Sequence, residues 1–114
     1  MPTSSDKGLF RLQAEIAKAL AHPLRLEILT CLHARELPFG KLQAQVGVSK
    51  PNLSQHLAIM RRAGIVIDRR IGKTTYYRLV DHEILQACRC LAGVLRRHLS
   101  RGARMASAGR LRSR

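Results

Sequence analysis

A chain of 114 residues with a formal charge of +14 is one domain, or one domain with a tail, and its default partners are nucleic acid or an anionic membrane surface. Aromatic residues make up 4% and Trp is absent, which argues against an aromatic platform for stacking single-stranded bases. No apolar run reaches the roughly 18 residues a membrane span needs, and the N-terminus lacks an apolar signal core, so the expectation is a cytoplasmic protein with no membrane contact. Three cysteines fit poorly with a disulfide framework.

The charge is unevenly placed. Residues 1–40 carry five Lys/Arg against four acids, whereas residues 41–78 carry eight against one. Residues 79–114 carry eight against two, and the last stretch, SRGARMASAGRLRSR, has five arginines and no acid. This pattern predicts an N-terminal extension over 1–8, a folded domain over 9–99 and a disordered basic tail over 100–114, able to add salt-dependent phosphate affinity.

Along the chain, Leu9, Leu12, Ile16 and Leu20 recur at helical spacing and predict a first helix over 9–20. Pro23 suits the first position of a second helix, PLRLEILTCLHAR, apolar on most sides and therefore central; His22 before it reads as a helix-start residue rather than a metal ligand. A short third helix, FGKLQAQVG, ends at Gly47. A fourth is capped by Ser49, buries Leu53, Leu57 and Met60, and stops at Gly64. The stretch IVIDRRIGKTTYYRLV then changes period to two and predicts a β-hairpin with strands near 65–70 and 74–80. In it Tyr77 and Leu79 alternate inward, while Tyr76 faces the other way as a candidate phosphate contact. A last helix is expected from about Asp81 to Leu99.

Two helices joined by a short Gly-containing turn, the second polar on one face, make a helix-turn-helix. Such a recognition helix enters the major groove N-terminus first, with short side chains that donate and accept hydrogen bonds. Ser49, Lys50, Asn52, Ser54, Gln55 and His56 supply them, and Arg61 and Arg62 lie two turns on, where the DNA backbone would pass. No carboxylate occurs anywhere in 37–67, unlike an ordinary solvated helix face. Arg69, Arg70 and Lys73 around the hairpin's glycine form a basic wing for a phosphate track or minor groove. The fold class that follows is mainly α with a β-hairpin wing: a winged helix-turn-helix.

The segments KALAHPLRLEIL, GVSKPNLSQHLAIMRRAGIV and RRIGKTTYYRL together resemble the ArsR/SmtB family of bacterial winged-helix repressors, over roughly residues 12–98. The resemblance implies a homodimer with the first and last helices at the interface, repression by binding an imperfect palindrome in double-stranded DNA, and release when an inducer binds. Ile84, Cys88, Leu91, Leu95 and Leu99 form one seam on the last helix and are the expected dimer face.

The sensor sites that the resemblance implies are depleted. In the arsenic- and cadmium-type branch two cysteines follow "EL"; here Pro38, Phe39 and Gly40 follow. Of the zinc-type set Asp81 survives, but the later positions fall on Val94 and Arg97, beside Arg96; His82 and His98 read as surface residues. The persulfide- or redox-sensing branch pairs a cysteine of the second helix with one of the last, and Cys31, Cys88 and Cys90 are the candidates, although their positions are displaced from that pattern. Cys88 and Cys90 point about 200° apart on a helix and cannot chelate one ion together. No cofactor is certain; a thiolate-bound metal or metalloid, or a thiol-reactive inducer, stands against cysteines that only pack. A nucleoid-type architectural protein also fits the charge but has no need of Asn52, Gln55 and His56. An enzyme lacks a phosphate loop, a carboxylate pair or a Cys/His/Asp set.

Overall fold

The computed structural model describes residues 4–109, with side chains from Asp6 to Gly102. Five helices and three strands follow in order: α1 (Ser4–Ala19), α2 (Pro23–Cys31), β1 (Leu37–Pro38), α3 (Phe39–Val46), α4 (Lys50–Arg62), β2 (Val66–Ile71), β3 (Thr74–Leu79) and α5 (Glu83–Gly109). The chain divides into two units, one ending at His82 and the other beginning at Glu83.

In the first unit the core is aliphatic. Ile28, Leu29 and Leu32 from the second helix and its cap, Leu42 from α3, Leu53, Leu57 and Met60 from α4, and Leu79 from β3 are all sealed from solvent. Each such side chain contributes roughly 1.5–3 kcal/mol of transfer free energy. Pro23 opens α2, and His22 in extended backbone (φ −154°, ψ 130°) caps it by accepting the Leu24 N–H on its ring, 3.1 Å away. His22 thus stands at the helix start, as its place before Pro23 predicts, and its ring adds a side-chain cap.

α2 ends at Cys31, four residues before the expected Arg35. Ala34 takes a left-handed conformation (φ 56°), its N–H donates to the His82 ring, and the chain turns so that Leu37 and Pro38 pair with Tyr77 and Tyr76 of β3. This third strand was not expected; two residues are too few to show a period. The hairpin forms where expected, from Val66 opposite Leu79 to Ile71 opposite Thr74, but its turn, expected around Ile71–Lys73, is the two-residue loop Gly72 (φ 61°) and Lys73, with Ile71 paired in β2. The sheet order is β1-β3-β2.

The helix-turn-helix is built by its caps. Gly47 (φ 69°, ψ 38°) closes α3 and returns its N–H to the Gln43 carbonyl; the Gln43 side chain donates onward to the Val48 carbonyl, 3.0 Å. Ser49 then caps α4 by accepting the Asn52 N–H. At the far end Gly64 (φ 77°) allows the Ile65 N–H to reach Met60 and the Gly64 N–H to reach Arg61, the paired bonds of a Schellman cap.

Two boundaries differ from expectation. α1 begins at Ser4 and takes in residues 4–8 of the stretch expected as an extension, with Asp6 in its first turn where the helix dipole favours an acid. α5 continues to Gly109, so residues 100–109 of the expected disordered tail are helical; residues 110–114 lie outside the described residues. That stretch holds three Ala and no proline, and adding turns to an existing helix avoids the cost of nucleation. α5 leaves Leu91, Leu95 and Leu99 exposed at 60%, 52% and 68%, with Ile84 and Cys88 half-buried; α1 likewise exposes Leu9, Phe10 and Leu12.

Candidate nucleic-acid interface

Of the predicted readers on α4, Lys50, Asn52, Ser54 and Gln55 stand on its exposed face, with Ser49 at the cap. Their side chains are free to meet a base edge, and the helix's N-terminal dipole favours phosphate there. His56 does not join them. It is half-buried, its Nδ1 lies 3.0 Å from Arg25 Nη1, and its ring centroid is 4.4 Å from that of His22. Burial first, and then His22 and Arg25, hold the His56 pKa below the ordinary imidazole value. One helical step beyond Gln55 has carried the ring from the outer face toward α2.

The predicted cations also divide. Arg69 is held by Glu36 through two 2.7 Å hydrogen bonds and lies 5.4 Å above the Tyr76 ring. Tyr76 thus supports an arginine rather than standing open as the expected phosphate contact. Arg70 donates from Nε to the Gly72 carbonyl, 2.9 Å, which folds it over its own turn. Arg61 stands 3.9 Å from Asp68 and ties α4 to β2. Arg62 and Lys73 are exposed. Lys50 and Ser54 of α4 face Lys73 and Thr74 of the wing across a groove of about 490 Å³, floored by Phe39 and Tyr77. Tyr77 packs near Phe39 (centroids 6.4 Å) as expected for a core-facing ring, and burial raises its pKa. Sequence reasoning missed Arg25 and Glu36. Both lie outside the helix-turn-helix, and Glu36 is marked only as the last acid before the carboxylate-free run.

A helix-turn-helix domain family matches residues 20–69. The HTH-type transcriptional regulator Rv0081 of Mycobacterium tuberculosis is 41% identical over 96 residues, 83% of this chain and 84% of the relative, and its crystal structure superposes with a TM-score of 0.73 at 40% identity, over 83% of this chain and 96% of that one. The biofilm growth-associated repressor of Xylella fastidiosa is 38% identical over 68% of each chain. The homodimeric winged helix-turn-helix domain of Mb0332 from Mycobacterium bovis, described as a possible ArsR-family regulator, matches with a TM-score of 0.74 at 26% identity, covering 87% of this chain and 92% of that one. The chain belongs to the ArsR/SmtB family of winged-helix transcriptional regulators.

Its relatives are transcriptional regulators, not enzymes. No helix among the described residues is long and apolar enough to cross a membrane. The candidate sensor residues of this ArsR/SmtB protein differ in access. Cys31 and Cys88 are half-buried and burial raises both thiol pKa values, at Cys31 with Glu27 adding to the rise and Arg35 opposing it; Cys90 is exposed. Among the described residues no three His, Cys, Asp or Glu side chains gather closely enough to hold a metal ion.

Proposed function

We propose that this family member is a sequence-specific repressor that binds a palindromic operator as a homodimer and leaves it when an inducer binds. The observation that carries this reading is the exposed set Lys50, Asn52, Ser54 and Gln55 on a helix with no carboxylate between residues 37 and 67. Asn and Gln can pair bidentately with adenine, and Lys50 can reach guanine or phosphate. The Xylella relative is named a repressor and the Mycobacterium bovis neighbour is a homodimer, which supports both halves of the proposal. The exposed leucines of α5 and the apolar residues of α1 are the surfaces a second copy would cover. A DNA-bound regulator of this kind works in the cytoplasm. Its inducer is a thiol-reactive species or a soft metal or metalloid, with Cys31, Cys88 and Cys90 as the sensing groups.

Competition binding tests the core of the reading. A labelled duplex from the promoter of the protein's own gene is challenged with unlabelled random duplex, and the promoter should win by at least about a thousandfold in affinity. Equal competition would instead identify an architectural protein that coats DNA without regard to sequence. Release assays against arsenite, soft metals, persulfide and peroxide, repeated in Cys31→Ser, Cys88→Ser and Cys90→Ser, test the sensor.

A further inference from the structure

Arg25 occupies an unusual joint. Its Nε donates to the carbonyl of Ala19 at the last residue of α1, 2.6 Å, while its Nη1 lies 3.0 Å from Nδ1 of His56 on α4. A guanidinium only donates, so Nδ1 must accept and His56 must be the neutral tautomer with its proton on Nε2. The neighbouring ring is constrained in the same way: His22 Nδ1 accepts from the Leu24 N–H to cap α2. The two ring centroids lie 4.4 Å apart, with the ring planes tilted by 51°.

We propose that Arg25 and His56 are positioning residues for the recognition helix, holding α4 to the end of α1 through the neutral His56 ring, and that protonation of His56 opens this joint and weakens DNA binding. A proton on Nδ1 removes the acceptor and sets an imidazolium against the Arg25 guanidinium. The groups facing His56 are His22 from the α1–α2 turn and Arg25 from α2, and neither accepts a proton's charge favourably. Beyond Arg25 the adjoining groove is lined by Glu15 and Lys18 of α1 and Arg62 of α4, two cations against one carboxylate. The depressed His56 pKa has the same origin. His56 is one residue from Gln55, so any rotation of α4 that relieves the repulsion moves the base-reading face with it.

The sign of the effect sets this apart from ordinary electrostatics. A basic protein normally binds DNA more tightly as its histidines charge. Here affinity should fall between about pH 7.5 and pH 5.5, by about three- to tenfold, because an imidazole free of the joint gains at most about tenfold in protonation per pH unit below its ordinary value of ~6.5. The inference rests on α4 as the DNA-contacting helix, so the test has two arms. The first needs no DNA: NMR titration of the His56 ring in the full chain should give a midpoint below that of free imidazole, with amide exchange in α4, corrected for its intrinsic pH dependence, rising as His56 charges. Arg25→Lys, which keeps a cation but cannot hold both partners, and Arg25→Ala should each raise that midpoint. The second arm measures affinity for the promoter duplex and for random duplex at both pH values. In His56→Gln, whose side chain offers Arg25 an acceptor at every pH, the fall in affinity on acidification should disappear. A His56 midpoint that neither arginine variant moves, a wild-type affinity that rises or stays level on acidification, or an undiminished fall in His56→Gln overturns the proposal. Failure to prefer the promoter at about pH 7.5 counts instead against the repressor reading.

Discussion

The guanidinium of Arg69 grips the carboxylate of Glu36 with two parallel hydrogen bonds of 2.7 Å, from Nε to Oε2 and from Nη2 to Oε1. The pair joins β2 to the turn that precedes β1, and the Tyr76 ring supports it from below. To meet a phosphate, Arg69 would have to exchange this carboxylate for it.

Its effect on DNA binding follows. Lys73→Ala should flatten the dependence of log affinity on log salt by about 0.9 for the lost phosphate contact. Arg69→Ala should leave that slope nearly unchanged, and Glu36→Gln, which frees the guanidinium, should steepen it. The Arg69 hydrogen bonds, helped by its charge and that of Arg78, hold the Glu36 pKa below the ordinary carboxylate range despite some opposing desolvation. A depressed carboxyl stabilises the fold above its unfolded pKa and loses that contribution as pH falls through the folded one, so the grip persists throughout neutral pH. Filter binding across a salt series checks all three variants; a loss of slope in Arg69→Ala equal to that in Lys73→Ala would return Arg69 to the DNA.

Gln55 is one of the four exposed side chains of α4 proposed to read bases. Gln55→Ala should cost about 1–3 kcal/mol at one base-pair position per half-site and relax preference there. Binding to a panel of operator point variants reads this out. Equal weakening on operator and random DNA would show that α4 does not read sequence.

The exposed seam of α5 carries the dimer prediction. Leu91→Glu places a charge among Leu95, Leu99 and their counterparts, and should give monomers by analytical ultracentrifugation with simultaneous loss of promoter binding. A wild-type protein that sediments as a monomer at micromolar concentration would refute the homodimer.

Thiol reactivity should follow access. Burial raises the pKa of Cys31 and Cys88 and so depletes their thiolates, whereas Cys90 is open to solvent. Iodoacetamide at limiting dose should label Cys90 first, as located by peptide mass spectrometry. Faster labelling of Cys31 or Cys88 would point to an opening motion at those sites.

Much of the fold was legible because its signals are local. Pro23, Gly47, Ser49 and Gly64 each state a boundary through backbone chemistry, and the structure uses all four in the expected way. The hairpin was legible from the switch to a period of two. What escaped was non-local. The two residues of β1 become a strand only because β3 is there to pair with them. The inward turn of His56 depends on Arg25, 31 residues earlier in the chain. The pairing of Arg69 depends on Glu36, 33 residues earlier. Composition marks these side chains as polar or cationic, but only the fold decides whether they face DNA or one another.

The short strand has a consequence for solubility. A three-stranded sheet has two outer edges, and each is a template on which another chain can add a strand. On one side that edge is only Leu37–Pro38, too brief to nucleate pairing and lacking an amide hydrogen at the proline. On the other side β2 presents Arg69 and Arg70 in succession, so an incoming copy would bring its own arginines against them. The wing can therefore project into solvent between encounters with DNA without seeding edge-to-edge aggregation.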